Sequence, residues 1–317
     1  MGVPRSRCWG RILLLGAFLI GSRASAEGWV AQTCPVSSDL NGVDMLDSAT
    51  GWIVGGEGTI LHTTNGGADW ELQVSHATYG LHGVSFLDSS FGLAVGEGGT
   101  ILRTTNGGAD WQVIRTDWMD VLSAVRVVDA AHACAVGTNS IFQPFVGRST
   151  DGGLTWSFTA FYIQGNEGGL TDVDFTDAQN GFASAYLWDG RGAVCRTTNG
   201  GASWSTITVV AYALRGIDFA DAQVGVACGL AGNVLRSSNG GLNWSHQSVG
   251  AAPDLLDVSF PGAATGWVVG EARWIARTTN GGLSWAPQLD PAVVALSGVD
   301  MASPLVGTAV GAVGTIF

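Results

Sequence analysis

The octapeptide TTNGGADW stands at residues 63–70 and again at 104–111. Variants follow: STDGGLTW at 149–156, TTNGGASW at 197–204, SSNGGLNW at 237–244 and TTNGGLSW at 278–285. Successive terminal Trp residues lie 41, 45, 48, 40 and 41 positions apart. Self-similarity at about 40 residues marks a repeat architecture, in which one supersecondary unit recurs and stacks on its neighbours.

Other segments repeat in phase. Each unit carries a short apolar strand: GVDM at Gly42, GVSF at Gly83, AVRV at Ala124, DVDF at Asp172, GIDF at Gly216, DVSF at Asp257 and GVDM at Gly298. A second strand such as GWIVG or GLAVG follows, then a third typified by GTIL at Gly58 and Gly99. After the Asn-Gly-Gly turn, the Trp opens a fourth strand. Four short strands per unit make a propeller blade.

The chain ends test the ring. In regular units Trp precedes the first-strand Val by 14 residues, as Trp70 precedes Val84, and Trp29 precedes Val43 by the same 14. The segment around Trp29 therefore reads as a fourth strand without a blade of its own. At the other end Gly314, Thr315, Ile316 and Phe317 read as a third strand without a fourth. The expected fold is all-β: a seven-bladed β-propeller of four-stranded blades, closed by pairing of the N-terminal strand with the C-terminal strands. Closure removes two sheet edges that would otherwise face water.

The repeated turn has a local chemistry. An Asn or Asp side chain bonds backbone N–H groups ahead of it. The Gly pair supplies positive φ, and the Trp covers the turn with a large apolar face. A catalytic group is needed once, but a fold element is needed once per blade. Asn65, Trp70, Asn106, Trp111, Asp151, Trp156, Asn199, Trp204, Asn239, Trp244, Asn280 and Trp285 are therefore read as structural.

The motif is identified as the Asp-box, or BNR repeat. The whole stretch from residue 27 to 317 resembles the photosystem II stability/assembly factor family in its V-x-F strand, G-W-x-V-G strand and T-T-D/N-G-G-x-x-W turn. The resemblance implies a non-enzymatic platform that binds a protein client, such as a membrane-protein assembly intermediate. In that family an Arg-rich surface is thought to meet the client, so Arg103, Arg148, Arg196, Arg236 and Arg277, each just before its box as His62 is, become candidate binding residues. The competing reading is that each guanidinium stacks on a blade aromatic or pairs with a carboxylate.

Composition agrees with many short strands and tight turns: 48 Gly and 13 Trp in 317 residues, and only 13% charged. All 14 basic residues are Arg. Arg5, Arg7 and Arg11 precede an apolar run at 12–21 (ILLLGAFLIG), and Ala24-Ser25-Ala26 fits a cleavage site. Residues 1–26 are thus expected to be a signal peptide and 27–317 the propeller. Beyond residue 26, ten Arg face 26 acidic residues, a balance of −16, which argues against a nucleic-acid surface. No later segment is apolar enough to span a membrane. A periplasmic or extracellular monomer is expected, or a lumenal one in a photosynthetic host. Cys34, Cys134, Cys195 and Cys228 sit at non-equivalent repeat positions with no C-x-x-C spacing, which favours buried or free thiols over a disulfide framework.

Departures from the repeat point to a surface of use. Unit 3 inserts residues between its second and third strands (138–146, TNSIFQPFV), and unit 4 does the same (186–193, YLWDGRGA). The connection between them is also longer, at 161–169. These loops should share one face over adjacent blades. They bring Phe142, Phe145, Tyr162, Tyr186, Trp188, Asp189 and Arg191, the composition of an interaction patch. Ordinary loop drift is the competing reading.

Sialidases also carry Asp-boxes, so a glycosidase is weighed. The R-I-P motif expected on that family's pattern is absent, and six Glu after residue 26 form no convincing pair with Tyr79, Tyr162, Tyr186 or Tyr212. No nucleophile elbow, phosphate loop or metal-ligand cluster appears. No cofactor is implied. A glycan-binding or adhesion module remains the alternative to a protein-binding platform.

Overall fold

The computed structural model describes residues 28–116, 120–165, 167–250, 253–288 and 294–317. The expected signal peptide, with Cys8 and Glu27, lies outside the described residues. Six four-stranded antiparallel sheets and one three-stranded sheet form seven blades. Blades 1 to 7 occupy 40–73, 81–115, 121–160, 168–210, 214–247, 255–288 and 296–316.

Strand order within a blade follows chain order, because each connection is short and antiparallel. The V-x-F strand is innermost. It packs on the innermost strands of both neighbouring blades, and Leu296–Ser303 packs on Leu40–Met45 to complete the circle. Burial decreases outward. The second strands Gly51–Gly55, Gly92–Gly96 and Gly225–Gly229 are buried throughout, since neighbouring blades cover both faces. The fourth strands, such as Glu71–Gln73, are mostly exposed.

The core is divided into seven apolar clusters, and each spans the joint between two adjacent blades. At the joint of blades 1 and 2, Trp52 stacks flat on Phe86 with centroids 3.4 Å apart, and Trp111 meets Phe86 edge-on. No blade owns a core; each buries its two faces only by having two neighbours.

The joint of blades 7 and 1 shows how the circle closes. In blade 1 the Trp70 indole N–H donates to Gln32 Oε1 at 2.7 Å, and in blade 2 Trp111 donates to Gln73 Oε1 at 3.0 Å. Each acceptor Gln lies three residues after the preceding blade's Trp. Trp29 obeys the same rule by donating to Gln288 Oε1 of blade 6 at 3.0 Å. Trp29 also packs against the cluster containing Phe317. The segment 29–32 thus takes blade 7's fourth position through the side chains of Trp29 and Gln32. Its backbone pairing is slighter than a full strand. Gln32 N–H donates to Ile316 C=O at 2.9 Å, and the blade 7 third strand is only Thr315–Ile316.

Replacing Trp29 by Ala should lower stability to urea by about 2–4 kcal/mol, since it removes an aromatic wedge and one indole bond. Val30→Ala, at a side chain 73% exposed, should be near neutral. Equal denaturation midpoints for the two variants would exclude this account of closure.

Candidate functional site

Each Asp-box sits between the third and fourth strands, and its bonds recur. In the first box Thr63 Oγ1 donates to Asn65 Oδ1 and accepts from Gly67 N–H, and Asn65 Oδ1 accepts from Asp69 N–H, each at 3.0 Å. Gly66 and Gly67 have φ of 70° and 80°, where a side chain would be strained. Gly66 N–H donates to Ala49 C=O at 2.8 Å, so the box rests on the turn between first and second strands. Asn106, Asp151, Asn199, Asn239 and Asn280 repeat the pattern. Indole N–H groups of Trp156 and Trp244 close back on Gly153 and Gly241 carbonyls.

Three of the candidate arginines hold blades together. Arg103 Nε donates to Gly152 C=O at 2.7 Å, Arg148 Nε to Gly200 C=O at 2.7 Å and Arg236 Nε to Gly281 C=O at 2.5 Å. Each acceptor is the first box glycine of the next blade, so the bond staples one blade to the next. Arg196 donates instead through Nη2 to Asn180 Oδ1 at 3.2 Å, and Arg277 lies over the Trp267 ring at 5.0 Å.

The axis carries an arrangement that the sequence reading missed. Innermost strands expose an unpaired edge there, and the residue between Val and Phe caps it. Asp44 Oδ2 accepts from Phe86 N–H at 2.6 Å, Ser85 Oγ from Val127 at 3.1 Å, and Asp174 Oδ2 from Phe219 at 3.0 Å. Asp218 Oδ2 accepts from Phe260 at 2.6 Å, Ser259 Oγ from Met301 at 3.1 Å, and Asp300 Oδ2 from Met45 at 2.6 Å. At the remaining step Arg126 Nε pairs with Asp174 Oδ1 at 3.3 Å. Each of these seven side chains reaches the following blade. Deeper along the channel, Asp172 and Asp257 cap Ile217 and Val299 amides in the same way.

Six carboxylates and the Arg126 guanidinium therefore line a channel cavity of about 130 Å3. Burial pushes Asp44 up to about 7, helped by the charge of Asp300, and pushes Asp172 up to about 6. Burial also raises Asp218 and Asp257 well above the usual carboxylate range. Asp174 drives the Arg126 guanidinium further up. The signal was present in the sequence, as the in-phase Asp of GVDM, DVDF, GIDF and GVDM, but it lay inside segments read only as strands.

The three lengthened segments meet on the face opposite the boxes. Phe142 tilts against Trp188 with centroids 4.7 Å apart. Gly168 N–H donates to Phe142 C=O, and Trp188 N–H to Glu167 C=O, so all three loops are tied together. Ile141, Phe142, Tyr162 and Trp188 are each at least 50% exposed. Arg191 pairs with Asp189 at 2.7 Å on the same loop as Trp188. Tyr186 is half-buried, with its hydroxyl 3.2 Å from Thr138 Oγ1. Phe145 does not join the patch. It is buried between blades 2 and 3 and stacks on Phe158, because strand alternation turns it to the joint. The cysteines Cys34, Cys134, Cys195 and Cys228 are free thiols, three of them buried. Among the described residues no group of acidic, His and Cys side chains is arranged to hold a metal, and no helix is long and apolar enough to cross a membrane.

Fold and repeat define a seven-bladed Asp-box propeller. Within that class, residues 22–119 match the family described as photosynthesis system II assembly factor YCF48, and the chain resembles that family. A solved structure titled "YCF48 bound to D1 peptide" is 21% identical, with a TM-score of 0.72 over 91% of this chain and 93% of that one. YCF48 from Cyanidioschyzon merolae is 20% identical, with a TM-score of 0.72 over 91% and 98%. A GH74 xyloglucanase from Xanthomonas campestris shares the fold at 13% identity and a TM-score of 0.69, over 91% of this chain and 53% of the enzyme. No curated protein matches the sequence.

Two outcomes follow from this geometry. Arg148→Ala should cost about 1–3 kcal/mol by removing one inter-blade staple to a part-buried carbonyl, whereas Arg196→Ala, without that staple, should cost less in the same urea titration. The channel sets a pH dependence. Carboxylates raised in the folded state contribute stability that is full below their unfolded value near 4 and lost as pH rises through the folded values of about 6 and 7. Stability should therefore fall from about pH 4 to about pH 7, and Asp44→Asn should flatten the slope. An unchanged slope in that variant would rule out the channel as its source.

Proposed function

We propose that this chain is a non-enzymatic protein-binding propeller that holds a segment of a client protein during assembly, using the loop face over blades 3 and 4. The carrying observation is the exposed aromatic patch of Ile141, Phe142, Tyr162 and Trp188, built by the three segments that depart from an otherwise regular repeat. Exposed, pre-positioned aromatics give large contact area at small entropic cost, as binding hot spots require. The likeness to YCF48, which one solved structure shows bound to D1 peptide, supports a protein client held through a peptide segment. We also propose export by the N-terminal segment, in keeping with its basic and apolar pattern.

The same observations weigh against catalysis. The channel carboxylates accept bonds from backbone amides of neighbouring blades, so their geometry is that of structural caps rather than of an acid and base flanking a substrate. The exposed Trp188 indole would also suit the face of a sugar, which makes glycan binding the competing outcome.

The test is photo-crosslinking of the wild-type protein to membranes of its source organism, compared with Phe142→Ala and Trp188→Ala. Both side chains are about half exposed, so the variants should fold normally. Loss of each should weaken capture of the crosslinked client by about tenfold or more. Capture that is unchanged in both variants, or binding confined to a glycan array, would overturn the proposal.

A further inference from the structure

In the boxes of blades 3 to 6, the residue beneath the second box glycine goes with whether the arginine staple forms. Gly153 of blade 3 sits on Leu93, Gly201 of blade 4 on Cys134, and Gly282 of blade 6 on Val226. At these joints the side chain is small or aliphatic, and Arg103, Arg148 and Arg236 reach the next blade's glycine carbonyl. Where an aromatic stands at the equivalent place, the residue cross-strand from it lies against its ring: His62 stacks on Trp52, and Arg277, next to the three-stranded blade 7, lies over Trp267.

At the joint of blades 1 and 2 the aromatic makes good the loss, because the Trp52 indole N–H itself donates to Gly107 C=O at 3.2 Å. The joint of blades 4 and 5 has no such remedy. Phe182 lies beneath Gly241. The Arg196 guanidinium stands over the Phe182 ring at 5.6 Å, and Nη2 is held by Asn180. The Arg196 Nε atom is buried without a hydrogen-bond partner. Phe182 has no N–H to offer Gly240. Donor and acceptor are thus both present, and the bond between them is missing.

A cavity of about 240 Å3 opens at that joint, lined by Phe182, Arg196, Gly240 and Leu242 among others. Leu242 is 56% exposed and supplies an apolar wall. We propose that this cleft is a binding site for an amide group, whose carbonyl accepts from Arg196 Nε–H while its N–H donates to Gly240 C=O. Such a group restores the inter-blade bridge through a ligand. The source of the amide is either a peptide bond of an extended segment or an Asn or Gln side chain. The site lies on the box face, apart from the aromatic loop patch, and does not depend on it.

The test follows the Arg Nε–H correlations of the full chain, with Arg196→Lys assigning the resonance. N-methylacetamide represents the peptide bond and propionamide the side-chain amide. A saturable shift of the Arg196 signal is expected with at least one probe, and the stronger responder identifies the source. Phe182→Leu should let Arg196 reach Gly240 as Arg103 reaches Gly152, and Phe182→Trp should supply the indole donor. Each variant should abolish the response while leaving the Arg103 and Arg148 signals in place, which also reports that the ring is folded. No saturable shift in the wild type, a drift shared by all arginines, or a response that persists in a folded Phe182 variant would overturn the site.

Discussion

A propeller has one edge problem that a sandwich does not. Seven strands stand side by side at the axis, unpaired on the inner side, with backbone amides directed into a narrow channel. This protein solves it by passing a side chain from each blade to the next. Asp44, Ser85, Asp174, Asp218, Ser259 and Asp300 each accept from a neighbouring amide, and Arg126 completes the circuit through Asp174. Short polar side chains suit the task because they reach an amide without filling the channel. The cost is electrostatic: six carboxylates are crowded where water is scarce, and Arg126 is the guanidinium that lines the same cavity. Outward from this axis, apolar joints and box turns add burial, but they do not relieve the innermost edge.

Much of this was legible in the sequence because a repeat reports its own geometry. The spacing from Trp29 to Val43 placed the N-terminal segment in blade 7, and the bond from Trp29 to Gln288 puts it there. The Asp-box chemistry could be read residue by residue, since its bonds are local. The clustering of Phe142 with Trp188 followed from strand order alone. What could not be read was contact between blades. Whether Arg148 or Arg196 staples its neighbour depends on Cys134 or Phe182, residues on a different strand with no local mark of their role. Phe145 failed for a similar reason. Loop membership said exposed, but the alternation of the strand it begins turned it inward. The channel carboxylates were hidden by being regular, as one polar residue inside each apolar strand.

Surface and channel divide the labour of the molecule. The axis is a closed set of bonds that leaves the carboxylates engaged, and the box face is largely occupied with joining blades. The loop face over blades 3 and 4 is where the repeat rule is relaxed and apolar rings stand in solvent. A rigid ring with one irregular sector suits a protein that must present a fixed surface rather than change shape. Similarity to YCF48 structures over about nine-tenths of the chain shows that this ring is shared, while identities of 20% and 21% leave the irregular sector free to differ.

Each stapling arginine lies cross-strand from its underlying residue within one blade, as Arg148 does from Cys134, while the carbonyl it reaches belongs to the next blade. The donor half of a staple is therefore inherited with its blade, and the acceptor half is only the first glycine of a box. A duplicated or transplanted blade would carry its Arg and underlying residue together, and could staple to any neighbour that presents a box glycine.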